Sequence, residues 1–151
     1  MDFPRLVDFT PVLDTSAYAN NDVLFDAQLI SGLCFDKDRA CILDHAVLID
    51  KDDQGVAVDL YFFSSQVVFG TANGAVAISD TDLLAGCGKI SFATGDYTDL
   101  GGARIAVKSN LGLIIKPVSA SNDIYVAGIL GVSTPTFTAS GIRFRFGMRR
   151  F

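Results

Sequence analysis

The chain has 151 residues, half of them hydrophobic, and a formal net charge of −5. That length suits one domain with a sizeable core, and the apolar content argues against disorder. The acidic balance disfavours non-specific nucleic-acid binding, which needs a basic surface. The longest uncharged stretches are broken by Gly, Ser, Thr and Pro135, so they do not predict a membrane span. We therefore expect neither nucleic acid nor a membrane as a partner.

The acidic residues are all of one kind, since all seventeen are Asp and none is Glu. Asp suits turns and helix caps, where its short side chain bonds nearby backbone, whereas Glu favours helices. Fourteen Gly and abundant Val, Ile, Thr and Phe indicate the same preference. The composition predicts an all-β chain of strands joined by tight turns.

Charge is divided unevenly along the chain. Residues 1–88 carry fourteen Asp against four Lys and Arg, whereas residues 89–151 carry three Asp against eight Lys and Arg. We expect the acidic and basic halves to pair, either within one fold or across subunits.

The first segment, residues 1–18, contains Pro4 and Pro11 and has few turn residues. Two alternatives fit it: an extended arm that pairs its main chain with a partner, or the first strands of the domain. Residues 19–151 are expected to form a single β-sandwich domain.

Apolar residues then alternate with polar ones at period two, which is the spacing of half-buried strands. Residues 23–30 and 56–62 are predicted strands of this kind. Another strand is predicted to place four side chains on one apolar face: Leu43, His45, Val47 and Ile49. The link at residues 50–55 is rich in turn formers, which predicts a hairpin between the last two strands.

A second hairpin is predicted around residues 36–39, with strands at 33–35 and 40–43. Cys34 and Cys41 flank this turn. In a chain that starts without a secretory signal pattern, reduced and partly buried thiols are the expectation, with a disulfide across the turn as the alternative.

Further strands are predicted between turn signals, at residues 66–69, 89–93, 104–108, 111–116, 124–130 and 136–148. One short helix is predicted near residues 80–85, where Ser79 can cap its start and Gly86 can end it. Several short strands at this spacing predict a single-domain β-sandwich, with a jelly roll as the specific architecture.

No residue pattern indicates catalysis. His45 is the only histidine, and a mid-strand apolar position gives it no orienting partner of the kind that a nucleophile–base site needs. Asp50, Asp52 and Gly55 begin like a calcium loop, but Tyr61 stands where the bidentate Glu belongs. We expect no catalytic residues, no metal site and no cofactor, and we interpret the chain as a protein other than an enzyme.

The basic end of the last predicted strand is the main positive feature. Arg143 and Arg145 alternate with Phe144 and Phe146, so they project from the polar face. Arginine binds carboxylates through two parallel hydrogen bonds. The arginines either pair with Asp within the chain or dock on an acidic neighbour. The candidate partner-binding residues are Phe3, Pro4 and Arg5 in the first segment and Arg143, Arg145, Arg149 and Arg150 at this end.

Five phrases spread over most of the chain carry a resemblance to a known family. They are FTPVLDTSAYA (residues 9–19), DVLFD (22–26), LIDKDDQGVA (48–57), GDYTDLGG (95–102) and IYVAG (124–128). In these phrases the chain resembles the head decoration, or cement, proteins of tailed bacteriophages.

The resemblance implies a structural virion protein that binds the outer capsid surface and stabilises the shell by bridging subunits of the major capsid protein. It also implies self-association, with a homotrimer favoured over a dimer, and assembly in the host cytoplasm. The alternative is a tail-associated or carbohydrate-binding β-sandwich module. Sugar binding favours exposed aromatic side chains, and the chain has no Trp and only four Tyr.

Overall fold

The structure, a computed structural model, describes residues 4–151. Ten strands and one short α-helix follow one another within that range. They are β1 (Arg5–Phe9), β2 (Val23–Ile30), β3 (Cys41–Asp50), β4 (Val58–Phe63), α1 (Asp80–Leu83), β5 (Gly86–Phe92), β6 (Tyr97–Asp99), β7 (Arg104–Lys108), β8 (Leu113–Ile115), β9 (Ile124–Leu130) and β10 (Ile142–Arg150). No helix in this range is long enough to cross a membrane.

The strands form two antiparallel sheets. The first sheet has the order β1-β10-β3-β7-β6, with β8 also paired to β3, and the second has the order β2-β9-β4-β5. The first strand pairs with the last, β2 with β9, β3 with β7 and β8, and β4 with β5. This nested pairing is one long hairpin rolled into two sheets, which is a jelly roll. The predicted all-β sandwich is confirmed.

Aromatic residues fill the space between the two sheets. Phe144 and Phe146 alternate with arginines on β10, so both rings point inward, with their centroids 5.9 Å apart. Phe62 of the second sheet meets Phe146 edge-on at 5.6 Å. Burial of each such ring contributes about 2 kcal/mol of transfer free energy. Most of the buried apolar side chains therefore lie in one core between the sheets.

The outer face of the second sheet is covered by the chain itself. Residues 64–85, which we call the covering segment, place Val67 and Phe69 against Phe63 and Ala127 in a second small core. The Phe69 ring lies 5.4 Å from that of Tyr61. Within residues 4–151, the first sheet has no comparable cover on its outer face.

Several predicted elements are confirmed. Strands 23–30, 104–108 and 124–130 have the predicted bounds. The short helix is present as α1, and the Ser79 hydroxyl accepts a hydrogen bond from the Asp82 backbone N–H at 3.1 Å. The helix begins where a side-chain cap replaces the missing backbone partner.

The predicted hairpin across residues 50–55 is wrong, because β3 lies in the first sheet and β4 in the second. The link is a crossover between sheets. Its turn is held by the Asp50 carboxylate, which is 1% exposed and accepts backbone N–H groups of Asp52, Gln54 and Gly55. Turn composition indicated the change of direction but not the change of sheet.

Two predicted strands are absent. Residues 33–35 form no strand, because the chain there turns within a loop closed between Cys34 and Cys41. Residues 66–69 form no ladder either. Val67 and Phe69 alternate with exposed residues as in a strand, but they bury themselves on the second sheet as part of the covering segment.

Candidate interaction surface

The outer face of the first sheet carries the arginines of β10. Alternation along the strand sends Arg143, Arg145 and Arg149 outward while Phe144, Phe146 and Met148 enter the core. We call the three outward residues the arginine column. Their side chains are 45%, 42% and 51% exposed, so they remain open to a partner.

Carboxylates of the same chain pair with the column. Asp8 on β1 accepts from Arg143 Nη2 at 2.6 Å and from Arg145 Nε at 2.7 Å, and Asp44 accepts from Arg149 Nε at 3.1 Å. The hydrogen bond from Arg145, aided by the charges of Arg143 and Arg145, lowers the pKa of the Asp8 carboxyl. One carboxylate shared between two guanidinium groups leaves a net positive charge at that point.

Two columns of aliphatic side chains run beside the arginines. Cross-strand pairing sets Ile49 opposite Ile105, Val47 opposite Val107, and Ile42 opposite Ile114, all on the outer face. Val107 is 47% and Ile114 52% exposed. We call these six residues the aliphatic stripe. Exposed apolar patches rimmed by polar groups mark contact sites.

A β-bulge in β3 corrects the predicted position of His45. Gly147 pairs with His45 but Met148 pairs with Leu43, so Asp44 is the extra residue. Beyond the bulge the alternation shifts by one residue, and the buried side chains become Ala46 and Leu48. His45, Val47 and Ile49 therefore leave the core, and the predicted common face with Leu43 is wrong.

The bulge forms one wall of an open groove of about 560 Å³ on this face. Gly147 lies opposite His45 and adds no side chain to the groove. A Cβ at this position would come within 2.8 Å of the His45 Cβ. The other lining residues are Pro4, Arg5, Leu6, Asp44, Met148 and Arg149. The groove thus brings Pro4 and Arg5 of the first segment together with Arg149 of the last strand.

The remaining candidate residues lie near the Cys34–Cys41 loop or outside the described range. Arg5 Nη2 donates to the carbonyls of Gly32, Leu33 and Cys34, and its guanidinium carbon lies 4.7 Å from the Phe35 ring centroid. Arg150 lies beside the same loop. Its Nη1 donates to Asp36 Oδ2 at 2.9 Å, and its guanidinium carbon lies 5.1 Å from the Phe35 ring centroid. Phe3 lies outside the described residues.

The expectation of reduced thiols at Cys34 and Cys41 is wrong, because the two form a disulfide with a Cα–Cα distance of 5.4 Å. The register explains the proximity: Cys41 begins β3 beside Ile115, and the Cys34 sulfur lies 3.9 Å from the Ile115 carbonyl oxygen. Cys87 is free and half-buried. Burial raises the pKa of its thiol, so it is a poor nucleophile at neutral pH.

The remaining candidate was a metal site at the calcium-like phrase, residues 50–55. Within residues 4–151, no group of three or more His, Cys or Asp side chains is placed to hold a metal ion. Asp50 and Asp52 of the calcium-like phrase bind protein groups instead: Asp50 holds backbone N–H groups, and Asp52 accepts from the Thr138 hydroxyl and N–H. Both carboxylates serve the crossover.

No family model and no curated protein matches the chain. Among solved structures, a chain of desmodium yellow mottle tymovirus matches at 14% identity with a TM-score of 0.32, covering 99% of this chain and 81% of that one. A chain of turnip yellow mosaic virus matches at 13% identity with a TM-score of 0.34, covering 99% and 93%. TM-scores in this range do not assign the chain to a family or a function.

The exposed arginines were predictable from the sequence, whereas the aliphatic stripe was not predicted. Residues 41–49 are apolar at nearly every position, so either face of β3 could have been the buried one. The signal that was present is the β-branched run at Ile105, Val107 and Ile114, because these residues alternate with the inward-facing Ala106, Leu113 and Ile115.

Proposed function

We propose that the chain is a structural virion protein of the tailed-bacteriophage head decoration type. It binds the outer capsid surface and stabilises the shell by bridging subunits of the major capsid protein. It acts without catalysis, as a homo-oligomer with a trimer favoured, and it assembles in the host cytoplasm.

The outer face of the first sheet is the observation that carries this proposal. It presents an arginine column, an aliphatic stripe and an open groove side by side on one sheet. The surface has the parts of a protein contact site, with apolar area and arginines. The jelly roll and the sequence resemblance support the virion setting, since jelly rolls recur in viral structural domains and in lectins.

We assign the groove to the coat subunit. Leu6 is 62% exposed at its edge and supplies apolar area, while Arg149 offers N–H groups that Asp44 only partly uses. An acidic segment of a coat subunit, extended along the groove, would match both. Symmetry repeats each weak contact over the shell, so modest contacts sum to a large stabilisation.

Pelleting with shells tests the assignment. Empty shells of the virus, assembled without this protein, are mixed with the wild-type chain, Arg149→Glu, or the control Lys51→Glu, which reverses a charge on an exposed turn at the other end of β3. We expect Arg149→Glu to bind at least about tenfold more weakly, and Lys51→Glu to bind as wild type.

Absence of wild-type pelleting, or equal binding by Arg149→Glu, contradicts the proposal.

A glycan array tests the alternative function. Binding to glycans by a protein that does not pellet with shells favours the tail-associated or carbohydrate-binding module.

A further inference from the structure

Two exposed apolar surfaces lie on opposite sides of the sandwich. The aliphatic stripe is on the outer face of the first sheet. The other surface belongs to the covering segment, which packs on the outer face of the second sheet. Within one copy these surfaces face away from each other, so neither can cover the other.

The second surface is the tip of the covering segment at α1. Leu83 is 55% and Leu84 88% exposed, while Ile78 and Ala85 anchor the segment on the second sheet. Asp80 and Asp82 lie in the first turn of α1, with no basic residue in its last turn. Neither carboxylate has an ion-pair partner within residues 4–151. We call residues 80–84 the leucine tip.

The aliphatic stripe is apolar like the leucine tip, but the charges at its border are positive. Val47, Val107, Ile49 and Ile105 form two adjacent rungs of the aliphatic stripe, with Arg145 and Arg143 at the ends of those rungs. Asp8 neutralises only one of these two guanidinium charges. The stripe is thus an apolar patch with a positive border, and the leucine tip is an exposed apolar pair with a negative border.

We propose that copies of this chain associate head to tail, with the leucine tip of one copy on the aliphatic stripe of the next. Leu83 and Leu84 cover the stripe, and Asp80 and Asp82 approach the border of Arg143 and Arg145. This inference deepens the proposed virion role. It rests on that role only for its setting, a shell on which association of the copies is useful. It also gives the acidic and basic halves of the chain a pairing across subunits.

The geometry of such a contact determines the assembly. A contact between two different surfaces is heterologous, so it forms closed rings, such as a trimer, or open chains. A face-to-face contact between two stripes would instead stop at a dimer. The two arrangements differ in whether the leucine tip takes part.

Sedimentation velocity with the full chain tests the inference through two variants. Leu84→Asp removes the tip, and Val107→Asp removes the stripe; both positions are exposed, so folding should persist. Wild type should associate with rising concentration, more weakly at high salt, and each variant alone should associate at least about tenfold more weakly. Val132→Asp, at an 80% exposed site outside both surfaces, should associate as wild type.

Mixing the two variants gives the decisive result. Val107→Asp keeps its tip and Leu84→Asp keeps its stripe, so an equimolar mixture should form one intact contact and stop at a heterodimer. A monomeric wild type, or a Leu84→Asp variant that associates as wild type, overturns the inference. If circular dichroism shows that Val107→Asp is unfolded, Ile114→Asp takes its place in the same mixture.

Shell pelleting keeps the two claims apart. A wild-type protein that self-associates as described but does not bind shells overturns the virion role and leaves the contact standing. A wild-type protein that binds shells but stays monomeric overturns the contact and the proposed homo-oligomer, and leaves the binding to the shell standing.

Discussion

Buried and exposed Asp residues do different work in this chain. Asp50 is the one buried charged residue of the described range, and its carboxylate organises the crossover between the sheets. Asp8 lies on the surface between two arginines. Hydrogen bonds from backbone to a buried carboxylate are strong, whereas surface ion pairs contribute little. The abundance of Asp alone could not distinguish these roles.

Asp50→Ala should lower the free energy of unfolding by about 3 kcal/mol, because three backbone N–H groups lose a charged acceptor in a buried site. Urea unfolding at neutral pH measures the change. Asp59→Ala is the matched control, a half-buried strand position on β4 whose carboxylate holds no turn. Equal, small effects of both substitutions would show that Asp50 does not hold the crossover.

Acid should remove the contribution of Asp8. The pKa of its carboxyl is lowered below 3.8 in the folded chain by the Arg145 hydrogen bond and the neighbouring guanidinium charges. A group with a lowered folded pKa stabilises above its unfolded pKa and loses that effect as pH falls through the folded value.

The difference in unfolding free energy between wild type and Asp8→Asn should therefore be constant from neutral pH down to the unfolded pKa and shrink below it. Urea unfolding over a pH series measures the difference. A difference that grows as the pH falls below 3.8 would contradict the assigned pairing.

At the scale of elements, local patterns predicted strands and missed their partners. The strands at residues 104–108 and 124–130 were predicted with the right bounds because turn residues flank runs rich in β-branched side chains. The bulge at Asp44 was not predictable. It shifts which side chains of β3 are buried by one position, and the residue types of the strand do not indicate where that shift occurs. The expectation of reduced thiols at Cys34 and Cys41 was wrong because their proximity depends on β3 pairing with β8, a contact distant in sequence.

Gly147→Ala should destabilise the bulge by about 1–3 kcal/mol, because its new Cβ would meet the His45 Cβ and force β10 or β3 to shift. Thermal unfolding measures the loss. Gly95→Ala is the control, at a site where a Cβ meets nothing within 4 Å. Identical melting of both variants would mean that the bulge tolerates a side chain.

Reduction of the Cys34–Cys41 disulfide should lower the unfolding free energy by about 2 kcal/mol, the chain-entropy value for a short loop. Unfolding with and without a dithiol reductant measures it. Cys87→Ser keeps the disulfide and should respond to reductant as wild type does. Three titratable thiols in the unfolded, unreduced protein, instead of one, would show that the cystine is absent.

At the scale of the molecule, spacing and composition predicted the sandwich but not the uncovered face. A jelly roll has two outer faces, and only the structure shows that the covering segment closes one of them. The other presents arginines, aliphatic side chains and a groove, so we expect it to form the protein's contacts. The fold itself is shared by unrelated functions and does not choose among them.

Heat disruption of shells, measured by calorimetry, tests the central claim most directly. Shells saturated with the wild-type chain should come apart at a higher temperature than bare shells, because a ligand that binds only the assembled state stabilises it. Shells mixed with Arg149→Glu at the same concentration should gain less. An unchanged disruption temperature in the presence of saturating wild-type protein would contradict a role in stabilising the shell.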